Sequence, residues 1–166
     1  MHWWSTGNKT FKLSYFVLVI GIIVFTYYIS ENWFQLSLIR GESMSPAYHN
    51  MQFVLLDRHS RSYTYGDVIA FQCDGLDAVL VKRIAACPGD QVTIRNGTLY
   101  VNNAVSTVFS QKYVFDYAGV AEECIVLEED QYFVIGDNLK ESKDSRYKEV
   151  GIVYGDDIVG RVIPQI

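Results

Sequence analysis

Residues 78–102, AVLVKRIAACPGDQVTIRNGTLYVN, decide the fold. They read as three strands joined by two tight turns. Asn96-Gly97, between QVTIR and TLYVN, is a two-residue hairpin signal, because both central positions of such a turn need positive φ. Pro88-Gly89 suits a tight turn just before Asp90. Along AVLVKRIAA a period of two puts Lys82 on one face with Leu80 and Ile84, and Arg83 on the other with Val79 and Val81. One of these two cations must therefore lie along an apolar surface.

Working outward, similar segments of alternating or β-branched residues recur between turn signals. FQLSLIR (34–40), QFVLLDR (52–58), DVIAFQC (67–73), YFVIG (132–136) and DIVGRVI (157–163) join AVLVKRIAA, QVTIRN and TLYVNN as strand candidates. The chain from residue 31 onward thus reads as mostly β, with no internal repeat. Residues 105–129 carry no clear period and are expected to form an insertion or a surface loop over the core, with one short helical stretch around 117–123.

The first thirty residues differ in kind. Leu13 to Ser30 contain no charge, and as a helix they would span roughly 27 Å, close to the thickness of a bilayer's hydrocarbon. Lys9 and Lys12 flank one end, and Tyr27, Tyr28 and Trp33 suit an aromatic belt at the other. They are the only charges before residue 31, so the remainder carries twelve basic and nineteen acidic side chains, a net charge of −7. These features predict a cytoplasmic segment over 1–12, a transmembrane helix over 13–30 and an extracytoplasmic β domain over 31–166. No small-x-small site precedes Glu31, which argues against a cleaved signal sequence. Apolar residues on all sides argue against a half-buried globular helix.

Composition excludes some classes. The whole chain carries a net charge of −5 and no basic cluster, so nucleic acid is not an expected partner. Cys73, Cys87 and Cys124 form an odd set with no CxxC or Cys/His spacing, so no metal site is expected and at most one disulfide.

Three segments hold candidate chemistry. Gly41-Glu42-Ser43-Met44-Ser45-Pro46 interrupts the strand pattern with a turn that exposes serines, although serines beside proline are usually turn formers. Lys82 is either an edge lysine reaching to water or a desolvated amine whose pKa falls towards the working pH, so that it can take a proton from a serine. The polar run Gly136-Asp137-Asn138-Leu139-Lys140-Glu141-Ser142-Lys143-Asp144-Ser145-Arg146 leaves a hydrophobic strand. It is either a solvated turn or a place from which a hydroxyl such as Ser142 can orient an amine. His2, His49 and His59 are poorly placed for a Ser/His/Asp arrangement, and no G-x-S-x-G elbow occurs.

Together, and in this order, GESMSP, GDVIAF, LVKRIAACPGD and GDNLKESKDSR resemble the boxes of bacterial signal peptidase I, over nearly the whole chain. The resemblance implies a single N-terminal transmembrane helix followed by an extracytoplasmic antiparallel β-sheet domain of the signal peptidase type. It implies Ser43 as nucleophile, Lys82 as general base, Ser142 orienting the lysine amine, and Asp144 with Arg146 as a supporting ion pair. No cofactor is implied. The compact domain looks like the enzymes of Gram-positive bacteria, and a lysine rather than a histidine base points to the bacterial form.

The implied reaction is removal of N-terminal signal peptides from exported preproteins, after a small residue at the positions one and three before the cut bond. The implied setting is the cytoplasmic membrane, beside the Sec translocon, with preproteins and the lipid bilayer as partners. Shallow apolar pockets near Ser43 are then expected, for which Leu38, Ile39, Met44, Leu80 and Val81 are candidates; ordinary core packing is the alternative for each. The chain departs from some members in having Gly41 where they place a second oxyanion donor, and Leu139-Lys140 where many have Arg-Asp. A specialised peptidase for a pilin or conjugation subunit, or a non-catalytic pilus-assembly chaperone on the same fold, is the competing reading.

Overall fold

The computed structural model describes residues 7–110 and 113–164, with side chains of the helical residues 7–12 and 29–32 left aside. Residues 1–6 of the expected N-terminal segment, His2 among them, and the side chains of Lys9 and Lys12 lie outside this description. One long helix, α1 (Gly7–Trp33), leads directly into β1 (Phe34–Leu38). Ten further strands follow: β2 (Phe53–Asp57), β3 (Val68–Cys73), β4 (Ala78–Ala86), β5 (Gln91–Arg95), β6 (Thr98–Val101), β7 (Ala104–Val105), β8 (Ile125–Val126), β9 (Gln131–Ile135), β10 (Val153–Tyr154) and β11 (Ile158–Val162). They form a seven-stranded sheet in the order β1-β2-β11-β3-β4-β9-β10 and a four-stranded sheet in the order β7-β6-β5-β8. Every pairing is antiparallel.

The expectation of a mostly β chain holds, and each of the eight strand candidates forms a strand. The Asn96-Gly97 turn joins β5 to β6 with φ of 49° and 73°, as the hairpin signal requires. Three strands escaped the sequence reading: β7, β8 and β10 are two residues long, too short to show a period.

Strand β3 is buried on both faces. Val68 and Ala70 pack in one cluster with Ile39, Met44, Val54, Leu56 and Val162, while Ile69, Phe71 and Cys73 pack in another with Ile84 and Val134. This explains why VIAF reads as a continuous apolar run rather than an alternating one. A third cluster fills the four-stranded sheet from Val92, Ile94, Leu99, Phe133 and Ile135.

That third cluster corrects the expectation for residues 105–129. The segment is no surface loop: it delivers Phe109, Phe115, Ala121 and Leu127 to the core and supplies β8. Its apolar residues are spaced by the path of an irregular chain, so no helical or strand period announced them. The expected short helix is a single 3₁₀ turn, Gly119–Glu122.

Helix α1 exposes its described side chains, residues 13–28, to the surroundings along nearly all of its circumference. Among the described residues no helix is long and apolar enough to cross a membrane. The exposed apolar surface continues into the sheet. In the β1/β2 register, Leu36 opposes Leu55 and Leu38 opposes Phe53, so Phe34, Leu36, Phe53 and Leu55 lie on the face away from the core and all are exposed. Trp33 stacks on His59 with ring centroids 4.5 Å apart, and its carbonyl accepts the Arg58 N–H at 2.9 Å. These contacts fix the helix end against the loop after β2.

Phe109 offers a direct check on the corrected segment. Phe109→Ala should cost about 3–5 kcal/mol, the usual penalty for emptying a buried phenylalanine site. Urea unfolding of the full chain in detergent measures this; a cost near zero would return the segment to the surface.

Candidate active site

Strand β4 brings the first functional side chain into place. It pairs with β3 from Ala78 to Arg83, but β9 joins its other edge only from Arg83 onward, leaving residues 78–82 with one unpaired edge among the described residues. The period of two holds: Lys82 turns inward and is 3 % exposed, while Arg83 on the opposite face is partly exposed.

Ser43 sits in the turn between β1 and β2. Gly41 enters that turn at φ 90°, a conformation in the left-handed half of the map that disfavours any side chain, with its N–H on Asn50 Oδ1 at 3.0 Å. The Ser43 carbonyl accepts the Asn138 N–H at 3.0 Å, and the Glu42 carbonyl accepts Asn138 Nδ2 at 3.2 Å. The loop after β9 therefore clamps the serine turn by its main chain. Sequence reasoning placed no role on Asn138; a Gly-Asp-Asn run after a hydrophobic strand was the available signal.

The two side chains meet. Lys82 Nζ donates to Ser43 Oγ at 2.8 Å and to the Val81 carbonyl at 2.9 Å. Burial pushes the Lys82 pKa down from 10.5 to about 8, because the ammonium loses water, against the opposing pull of the Asp144 and Asp137 carboxylates. At pH 7 roughly a tenth of the lysine is then neutral amine.

Around this pair the polar groups form two ion pairs. Arg83 reaches both oxygens of Asp137, with Nε–Oδ1 at 2.7 Å, and its Nη1 donates to the Gly66 carbonyl at 2.8 Å. Asp144 and Arg146, 0 % and 1 % exposed, pair through Nε–Oδ1 at 2.7 Å and Nη2–Oδ2 at 2.9 Å. Asp144 also accepts the Gly136 N–H, and Arg146 donates to the Leu139 and Ser142 carbonyls. Each end of this buried pair is thus satisfied, which is the condition for burying charge at all.

Ser142 lies in the same floor, and a Cβ added at Gly136 would collide with its hydroxyl and come within 2.6 Å of the Ser43 carbonyl. Its Oγ is buried with no hydrogen-bond partner among the described residues, so it does not make the bond to the lysine amine expected from the resemblance. The Val81 carbonyl takes that position on the amine.

A cavity of about 160 Å³ opens beside the pair. All five pocket candidates, Leu38, Ile39, Met44, Leu80 and Val81, line it together with Ser43 and Lys82. Ile39 and Met44, which line it, are at the same time almost wholly buried in the core. A larger cleft of about 1020 Å³, between the β5–β6 turn and residues 115–120, holds neither Ser43 nor Lys82. Ser43 and Lys82 both line the smaller cavity.

Residues 12–165 match the family described as signal peptidase, peptidase S26. The chain belongs to this family. It is accordingly a serine endopeptidase that removes signal peptides. Similar proteins include signal peptidase I U of Bacillus subtilis (strain 168), 30 % identical over 156 residues, spanning 87 % of this chain and 80 % of that protein. Signal peptidase IB of Staphylococcus aureus (strain N315) is 31 % identical over 142 residues, 75 % and 73 % of the two chains. A crystal structure of a signal peptidase I from Enterococcus faecalis aligns with 61 % of this chain and 97 % of its own, at 27 % identity and a TM-score of 0.47.

Two outcomes are expected from this geometry. Asp144→Ala should lose about 3–5 kcal/mol of stability, because it strands the Arg146 guanidinium in the core; thermal unfolding reads it. Lys82→Met should raise stability by roughly 3 kcal/mol near pH 7, the equivalent of the shift from 10.5 to about 8. The unfolded chain binds this proton up to about pH 10.5 and the folded chain only up to about 8. The penalty on the wild type is therefore complete below pH 8 and relieved as the pH rises through that window, so the advantage of methionine should fade from pH 8 and vanish above 10.5.

Proposed function

We propose that Ser43 is the nucleophile and Lys82 the general base of this signal peptidase. The observation that carries the reading is the 2.8 Å contact between Lys82 Nζ and Ser43 Oγ, made by a lysine held free of water. When Lys82 is neutral the contact reverses: the serine O–H donates to the amine, and the proton moves across as Oγ attacks the scissile carbonyl. The developing oxyanion needs a donor. The Ser43 main-chain N–H donates to nothing among the described residues and is the group we assign to it. The ammonium then gives its proton to the departing amine, leaving an acyl group on Ser43, and a water activated by the same lysine releases it.

Ser142, Asp144 and Arg146 support this centre. The buried pair holds the main chain on both sides of Ser142, and the unused Ser142 hydroxyl is available to receive the amine when its proton shifts. The free edge of residues 78–82 supports docking of the substrate as an added strand, with alternate side chains entering the 160 Å³ cavity. Its small volume suits the small residues one and three positions before the cut bond, lodged against Leu38, Ile39, Met44, Leu80 and Val81. A chaperone that had lost its chemistry has no use for the lysine–serine contact, which disfavours that reading.

The enzyme is further proposed to work at the cytoplasmic membrane, beside the Sec translocon, with residues 1–12 inside, 13–30 crossing and 31–166 outside. The uncharged run 13–30, the unburied surface of α1 and the exposed face of Phe34, Leu36, Phe53 and Leu55 support this arrangement. Each is an apolar surface that nothing among the described residues covers.

Cleavage of a fluorogenic signal-peptide substrate, by the full chain in detergent, tests the dyad. Activity should rise with pH to a plateau above about 8, falling close to tenfold per pH unit below it, as the neutral amine is titrated away. Ser43→Ala and Lys82→Ala should each lose on the order of 10³-fold or more. Turnover persisting in either variant would remove that residue from the mechanism.

A further inference from the structure

The cavity beside Ser43 has an apolar floor and one charged group at its mouth other than the base. Arg40 lines it, exposed, three residues before Ser43. Among the described residues Arg40 makes no ion pair, whereas Arg83, Arg146 and Arg161 each face a carboxylate. Its acidic neighbour in the chain is disposed of differently. The left-handed turn at Gly41 sends Glu42 away from the cavity, where its Oε2 accepts the Ser45 hydroxyl at 2.7 Å. Of the two charges flanking the nucleophile, the turn thus presents only the positive one to the substrate.

An extended peptide alternates its side chains. If the residues one and three before the cut bond enter the cavity, the residue between them faces out, at the level of the exposed rim where Arg40 stands. We infer that Arg40 is a specificity residue that favours preproteins with an acidic side chain two positions before the cut bond and disfavours a basic one. The inference rests on the Ser43-centred reading of the site. The surroundings strengthen the contrast, since the chain from residue 31 onward has a net charge of −7 and would otherwise repel an acidic substrate.

The experiment compares three peptides that differ only between their two alanines, Ala-Glu-Ala, Ala-Gln-Ala and Ala-Lys-Ala, cut by the full-length wild type, Arg40→Gln and Arg40→Glu. Ser43→Ala serves as the blank. In wild type, kcat/KM should fall in the order Glu, Gln, Lys, by about fivefold between the extremes at low salt, as for a solvent-exposed charge pair. The spread should shrink as salt screens it. Arg40→Gln should level the three, and Arg40→Glu should reverse the order. The same order and spread in Arg40→Glu as in wild type overturns the inference while leaving the dyad intact. Absence of turnover on every peptide, or turnover equal to that of Ser43→Ala, overturns the Ser43-centred reading and the inference with it.

Discussion

Lys82 keeps a titratable amine on the inner face of β4, where Leu80 and Ile84 share its side of the strand and water does not reach. Most of the architecture around it makes this placement tolerable. Strand β3, apolar on both faces, backs the strand that carries it. The Val81 carbonyl and the Ser43 hydroxyl take the amine's hydrogen bonds. The protein holds a group whose pKa burial lowers from 10.5 to about 8. A folded chain accepts such an unfavourable charge state only where the surroundings are rigid and the group is needed.

The rigidity comes from the loop after β9. Gly136 allows the loop to pass against the serine turn, Asn138 fastens that turn by its main chain, and Asp137 ties the same loop to Arg83 on β4. Arg83 and Lys82, adjacent in sequence and opposite in facing, thus do complementary work. One anchors the strand to the loop and the other delivers the amine to the serine that the loop holds. Asp144 and Arg146 close the arrangement from behind, with each polar atom of the pair directed to a partner.

Much of this was readable beforehand. Alternation located all eight strands of four residues or more, and the Asn-Gly turn gave the hairpin its register. Counting by two put Lys82 and Arg83 on opposite faces, and burial decided which of them turned inward. What failed was irregular: β7, β8 and β10 are too short to show a period, and residues 105–129 bury Phe109, Phe115 and Leu127 along a path that repeats nothing. Asn138 was passed over because its work is done with main-chain carbonyls, which leave no mark in a sequence. Ser142 packs beside Gly136, but among the described residues its hydroxyl is unpartnered rather than bonded to the amine.

The sequence by itself determined the strand pattern and the uncharged run 13–30, because these depend on local periodicity and on residue type, and its ordered boxes singled out Ser43 and Lys82 through their resemblance to a known family. Only the tertiary structure decided the distance between Ser43 and Lys82, the loss of water that lowers the lysine's pKa, and the turning of Arg40 towards the cavity and Glu42 away from it. These depend on which segments pack together across a sequence separation of 39 residues, and on how much solvent the packing expels. Neither quantity is a property of any residue taken alone.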